Sequence, residues 1–276
     1  MPPEVEPFSY KCPIINIHAH IFPEKIYAKA VESIHSFYDL PMARTGQIND
    51  LIEEAKAYNV SKTVVFSTAT TKSQVRSIHE FIRDTVSAAP EALIGFGTLH
   101  PEMTVDEITE ELSVITEWGL KGIKLHPDFQ HIAADDSAIQ SIASVLQGNL
   151  PILIHAGDYR YSFSHPEQIA RLARNYPNLT IIAAHFGGWS EWYKAPEYLS
   201  GLPNVYVDTS SSFTFLSREK ALELIGAFGP DHVLFGTDYP MWSLEKELNF
   251  IINLGLSDKD LHKILFDNSA KILKDF

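Results

Sequence analysis

Two histidines, His18 and His20, close an apolar run, IINIHAHIF, at residues 14–22. In a β-strand, residues i and i+2 share a face. Asn16, His18 and His20 are therefore expected to look one way, and Ile15, Ile17 and Ala19 the other. Two imidazoles on one face at a strand end can reach a single metal ion. Neutral imidazole is a good ligand for zinc, iron, nickel and related ions. The same spacing is met by one structural and one exposed histidine, so the weight falls on the rest of the chain.

Other apolar runs also end in groups that could do chemistry. One runs into His100-Pro101. The next reads Lys124-Leu125-His126-Pro127, with Lys124 and His126 on one face. Further runs end at His155, at His185, at Asp208 and at Asp238 within GTDYP. Six of the twelve histidines fall at these ends, a small part of the chain, which scattered placement does not explain. Burying such groups unpaired is costly, and a metal satisfies several at once. A divalent ion lowers the pKa of bound water and polarises a carbonyl or carboxylate. Catalytic metals keep an open position, and a neighbouring carboxylate or imidazole can move the proton.

The elements that must position these groups follow a regular alternation. Strands are predicted over residues 14–20, 62–67, 93–99, 122–125, 151–156, 179–184, 205–208 and 233–236. Helical periodicity covers 24–38, 49–58 (with Asn49 as N-cap), 73–89, 105–118, 136–148, 166–176, 191–199, 218–228, 244–254 and 258–274. Residues 1–13, with four prolines, read as an extended lead-in. Strands alternating with helices argue for a parallel sheet, and buried parallel strands read as continuous apolar runs. Eight such units in 276 residues fit a single-domain α/β fold, a (β/α)8 TIM barrel spanning residues 1–276. A doubly wound open sheet is the alternative, but it usually brings a glycine-rich phosphate turn after the first strand, which is missing here.

The hydrophobic fraction of 45% is that of an ordinary globular protein with a large core. A net charge of −13 disfavours nucleic acid and anionic membranes as partners. A small-molecule substrate is expected instead. No stretch approaches the roughly 20 apolar residues of a membrane span. The first residues lack a basic segment followed by an apolar one, so no signal peptide is read and the cytoplasm is expected. The one cysteine, Cys12, excludes an intrachain disulfide and a cysteine zinc site, and reads as structural. Trp189, Trp192 and Trp242 follow the sixth and eighth strands, where they would wall a pocket or form a homodimer contact.

Five pieces in order, HAH at 18–20, GIKLHP at 122–127, IHAG at 154–157, AHFGG at 184–188 and FGTDYP at 235–240, together resemble the amidohydrolase superfamily. Within it they resemble the amidohydrolase-2 branch of metal-dependent barrel hydrolases and decarboxylases, and the resemblance spans nearly the whole chain. It implies a (β/α)8 barrel with one or two divalent metals at its mouth. His18, His20, His155 and Asp238 would be the metal ligands. His185 would orient and help deprotonate the metal-bound water, or bind a second metal, and Asp238 would also accept a proton from the water. One departure is Asn16, where the family often has Asp. The expected metal is zinc, with manganese as the alternative.

Lys124 would bind substrate or serve structurally, or, carbamylated, bridge two metals. His126 would be a pocket residue or a hydrogen-bonding group of the barrel interior. Arg160, in the loop DYRYSFSH, would clamp a substrate carboxylate or pair with an acidic neighbour. Asp208 would be an acceptor near the mouth rather than a ligand. The expected activity is hydrolysis of a small ester, lactone or amide through metal-activated water. The alternatives are non-oxidative decarboxylation of a small carboxylic acid and a non-enzymatic binding protein on the same barrel. The completeness of the ligand set argues against the last.

Overall fold

Strand β1, Ile14–His20, is buried along its whole length. That is why it reads as an unbroken apolar run ending in histidines. The computed structural model describes residues 10–274, so most of the expected lead-in, residues 1–9, lies outside the described residues. After β1 come β2 (Val60–Phe66), β3 (Leu93–Gly95), β4 (Gly97–Thr98), β5 (Ile123–Leu125), β6 (Ile152–Ile154), β7 (Ile181–Ala183), β8 (Val205–Asp208) and β9 (Val233–Leu234). Each pairs with the next in parallel, apart from β3 and β4. Those two are halves of one expected strand, parted at Phe96. The Phe96 N–H bonds the Val65 carbonyl at 3.0 Å, and the Gly97 N–H bonds the Gly122 carbonyl at 2.8 Å, so the strand hands over from one neighbour to the other.

The remaining seam lies between β1 and the segment after β9. The Ile17 N–H bonds Phe235 at 2.9 Å, the Asp238 N–H bonds His18 at 3.0 Å and the His20 N–H bonds Tyr239 at 2.7 Å, in each case at the carbonyl. Ala19 and Tyr239 form a parallel bridge. The sheet therefore closes as a (β/α)8 barrel, with all eight expected strand positions filled.

Two packed layers hold it. Inside the barrel are Ile15, Ile17, Val64, Phe66, Ile94, Phe96, Leu153, Ile182 and Leu234. Between strands and helices lies a larger layer that includes Ile14, Ala19, Ile21, Ile123 and Ile181. Strand β1 contributes to both, and its register with β2 slips between Asn16 and Ala19. This corrects the simple alternation expected from sequence. Ile15 and Ile17 pack in the inner layer, while Ala19 and Ile21 pack in the outer one. Asn16 is thus separated from the histidine pair. Its amide donates to Thr237 Oγ1 at 2.9 Å and accepts from the backbone N–H of Thr237 at 3.1 Å, tying β1 to the last strand's extension.

The helices follow the expected order, with a few differences. Helix α1 is Tyr27–Tyr38 and contains no buried residue. Helix α2, Ile48–Ala57, starts one residue early, so Gln47 and not Asn49 is its N-cap, without a side-chain bond. Helices α3 (Val75–Ala88) and α4 (Val105–Glu117) precede an unexpected short helix, α5, at Pro127–Gln130, where His126 caps the first turn by accepting from the Phe129 N–H. Then come α6 (Ser137–Leu146), α7 (Pro166–Asn175), α8 (Ala195–Leu199), α9 (Arg218–Phe228) and α10 (Leu244–Ile252). Two short helices at Asp258–His262 and Asn268–Leu273, joined by a π-turn, end the described chain. Cys12 is exposed and free, so its structural reading is corrected.

Gly157 shows how tightly the loops above the barrel are set. Its φ is +80°, and a Cβ there would lie 2.5 Å from backbone atoms of Gly188 and Trp189. Backbone cannot yield as a side chain can, and a non-glycine residue at positive φ is itself strained. Gly157→Ala is expected to cost at least ~1–3 kcal/mol, measured as a lowered midpoint in urea unfolding. An unchanged midpoint would contradict this close approach.

Candidate metal centre and active site

The site is built from hydrogen bonds that fix three of its imidazoles, those of His18, His155 and His185, from behind. His18, near the end of β1, places Nδ1 2.8 Å from Asp208 Oδ2, at the end of β8. Ser210 Oγ lies 3.0 Å from the same nitrogen. Asp208 can only accept, so Nδ1 carries a proton, and Nε2 is the nitrogen that could serve a metal once any second proton has left. His155, just past β6, donates from Nε2 to the Gly157 carbonyl at 2.8 Å, which leaves the lone pair on Nδ1. His185, past β7, donates from Nδ1 to the Ser210 carbonyl at 3.0 Å, which leaves the lone pair on Nε2.

These free lone pairs converge. His155 Nδ1 and His185 Nε2 face each other at 3.0 Å. His18 Nε2 lies 3.3 Å, and His20 Nε2 3.4 Å, from Asp238 Oδ1. All five residues are at most 9% exposed. The backbone that delivers them is strained in places: His185 has φ 60°, Phe186 51° and Asp238 62°, uncommon for residues with a Cβ.

Burial lowers the pKa of His20 and His155 well below the usual histidine value. For the same leading reason His185 falls to about 4. These three are neutral near pH 7. Burial alone would raise Asp238, but His18, His185 and His20 outweigh it and hold the carboxyl well below its ordinary range. His18 is pushed down by burial and by Lys124, yet Asp208 and Asp238 outweigh both and raise it. Burial brings the Lys124 ammonium down to about 8.

The lone pairs of His155 Nδ1 and His185 Nε2 face each other, and the Asp238 carboxylate lies beside His18 and His20, a set of donors that a divalent cation would satisfy. Two ligands about 2.1 Å from a tetrahedral ion sit roughly 3.4 Å apart, close to the spacings found here. The donor atoms of His18, His185 and Asp238 lie within 4.8 Å of one another and could hold a divalent ion, with His20 and His155, expected as ligands, beside them. A second group, His126, Asp128 and His155, meets the same distance. There the His126 ring is stacked between Phe129 and His155, with centroids at 3.7 and 4.0 Å. Asp128 Oδ2 accepts from Ser164 and lies 3.5 Å from His155 Nε2, so it backs His155 from behind. Burial raises Asp128 to about 7.

Above this floor is a narrow cleft lined by His20, Ile34, Tyr38, His126, Phe129, His155, His185, Asp238, Pro240 and Met241. Its free volume of about 20 Å³ is room for roughly one water molecule. His126 lies on its wall, as expected of a pocket residue. Lys124 and Arg160, two other expected substrate contacts, are not among the residues that line the cleft. Lys124 is fully buried, with Nζ 3.3 Å from His18 Nε2, the nitrogen that faces the centre, and 4.9 Å from the Phe66 ring centroid. Arg160 is spent on Asp158, through Nε at 2.9 Å and Nη2 at 2.7 Å, and on the Phe37 carbonyl through Nη1 at 2.9 Å. Its guanidinium holds a loop against α1 and offers no fork to a substrate.

Sequence reasoning passed over Tyr38, Asp128, Asp158 and Ser210. Asp128 and Asp158 had a signal, since each stands two or three residues past a strand-end histidine. Tyr38 had none, because it ends a helix.

The family model described as Amidohydrolase matches residues 15–274. No curated protein matches the chain. Among solved structures, an uncharacterised TIM-barrel protein from Bordetella bronchiseptica superimposes with a TM-score of 0.79 at 18% identity, covering 95% of this chain and 98% of that one. A dihydroxybenzoic acid decarboxylase from a Polaromonas species, with bound manganese and the inhibitor 2-nitroresorcinol, gives 0.73 at 16% identity over 95% and 96%. A 5-carboxyvanillate decarboxylase from Novosphingobium aromaticivorans, complexed with manganese and 4-hydroxy-3-methoxy-5-nitrobenzoic acid, gives 0.74 at 18% identity over 94% and 95%.

Two measurements check the electrostatics. Because His18 favours its proton when no ion is present, manganese binding at pH 6.5 is expected to release about one proton. Calorimetry in buffers of different ionisation enthalpy reads this, and a buffer-independent heat would contradict it. Asp208→Asn, which weakens the control of the His18 tautomer, is expected to reduce manganese affinity about 10–100-fold. Unchanged affinity would show that Asp208 does not set the ligand.

Proposed function

The chain belongs to the amidohydrolase family whose model spans it, and from that premise we propose that it is a metal-dependent, non-oxidative decarboxylase of a small aromatic carboxylic acid. The observation that carries this reading is the lining of the cleft. Ile34, Phe129, Pro240 and Met241 form apolar walls above a floor of imidazoles and one carboxylate. Such a slot suits a flat ring between the walls with its carboxylate turned to the floor. The two manganese-bound decarboxylases of aromatic acids that share the fold support the same chemistry.

A divalent ion on this floor would bind the substrate's oxygens and draw off charge as the carbon–carbon bond breaks. The chain's own residues supply the rest. The walls orient the ring and exclude water. Loss of CO2 leaves an electron pair on carbon that must take up a proton. Asp238, ionised at rest, and His185, neutral with Nε2 turned to the floor, are placed to take a proton from an acidic substrate group and return it to that carbon. Lys124, with Nζ beside His18 Nε2, adds positive charge to the floor.

Hydrolysis, placed first from the sequence, becomes the second reading. The ionised Asp238 carboxylate favours it, since it can equally take a proton from an attacking water. A binding protein without chemistry would have no need of a strained Asp238 and of three imidazoles fixed from behind. Manganese is the metal to load first, with zinc second. No helix among the described residues is long and apolar enough to cross a membrane.

The manganese-loaded protein is expected to release CO2 from 2,6-dihydroxybenzoate or a related hydroxylated benzoate. Asp238→Asn and a strong chelator should each abolish that release. Cleavage of small esters or lactones without CO2 from any aromatic acid would establish the hydrolase instead.

A further inference from the structure

We propose that Tyr38 is a substrate-binding residue, carried by a movable helix α1, whose phenolic O–H donates to a carboxylate oxygen seated over the metal floor. The assignment rests on the aromatic-carboxylate reading above. It begins with the direction of one hydrogen bond. The Phe129 N–H donates to His126 Nδ1 at 3.3 Å, so that nitrogen holds a lone pair. An imidazole always keeps at least one ring proton, so with Nδ1 accepting, that proton sits on Nε2. Nε2 lies 3.0 Å from the Tyr38 oxygen, and the imidazole must be the donor there. The phenol is left with its own proton to give.

Nothing else on the cleft wall duplicates that group. Tyr38 carries the one hydroxyl on the lining among the described residues, and the floor presents acceptors. A phenol, with an ordinary pKa of about 10, keeps its proton at neutral pH. An anionic ligand supplies the acceptor that Tyr38 lacks. The ring is held in position by Trp189, at 5.2 Å between centroids.

Access requires α1 to move. A cleft of about 20 Å³ does not admit an aromatic ring. Helix α1 has no buried residue, whereas the strands that carry the floor are buried throughout. Elements with little burial open locally at low cost. Its end at the site is held by the Tyr38–His126 bond and by Arg160 on the Phe37 carbonyl. Farther on, the Ala43 and Arg44 N–H groups bond the Met241 and Pro240 carbonyls at 3.1 and 3.0 Å, which anchors the following loop. Opening at α1 lets the ring in, and closing sets the hydroxyl on it.

The test uses 2-hydroxybenzoate as the probe, titrated by its own fluorescence into the manganese-loaded full chain. Tyr38→Phe keeps the ring and is expected to weaken binding about 10–100-fold, the loss of a hydrogen bond to a charged group, with manganese content and unfolding midpoint unchanged. In the wild type, probe binding is expected to slow amide exchange across residues 27–38. Equal affinity in both proteins would overturn Tyr38 as the donor and leave the decarboxylase reading standing. Unaltered exchange in α1 on binding would overturn the moving helix. A wild type that does not bind the probe at all would overturn this assignment together with the carboxylate reading beneath it.

Discussion

The structure depends on one constraint, the convergence of imidazole and carboxylate groups from β1, β6, β7 and the end of β9. Each imidazole with a free lone pair at the centre has its other nitrogen committed outward: His18 to Asp208, His155 to the Gly157 carbonyl, His185 to the Ser210 carbonyl. Without those outward bonds the rings could turn or change tautomer, and the lone pairs would no longer meet. The closed barrel brings the bonding partners together, since His18 and Asp208 are 190 residues apart in sequence. Positive φ at His185 and Asp238 is the local strain this convergence requires. Second-sphere partners of this kind set both ring orientation and ligand basicity.

Much of this was legible in the sequence, and for a physical reason. Parallel strands buried on both faces leave unbroken apolar runs, and polar residues at their ends stand out because burial without a partner is costly. The eight strands and the floor residues His18, His20, His155, His185 and Asp238 could therefore be read directly. What could not be read depends on three-dimensional pairing. The register slip in β1 that separates Asn16 from the histidines leaves no mark in the composition of the run. Arg160 looked free to clamp a substrate, but Asp158, two residues before it, takes both arms of the fork. Lys124 immediately precedes the stretch that carries His126, yet its side chain meets His18 and does not line the cleft.

The site divides into a floor that can serve more than one reaction and a cover that selects among them. The residues proposed to hold a metal and to move protons lie at or just past strand ends and are buried. The groups that would choose a substrate lie on α1, on α5 and in the loop after β9, where Ile34, Tyr38, Phe129, Pro240 and Met241 meet. Barrel enzymes commonly separate chemistry from recognition in this way. Hydrolysis and decarboxylation can share such a floor. The apolar, nearly filled space above it makes a flat ring a better occupant than an extended ester or amide.

The central claim, that this floor is a metal centre, is tested most directly by measuring the metal content of protein purified without chelator, using mass spectrometry. The account predicts close to one divalent ion per chain, lost when Asp238 is replaced by Asn. Protein that carries no ion, and takes up neither manganese nor zinc when they are supplied, would contradict it. The converging lone pairs would then have to be reconciled by protons alone.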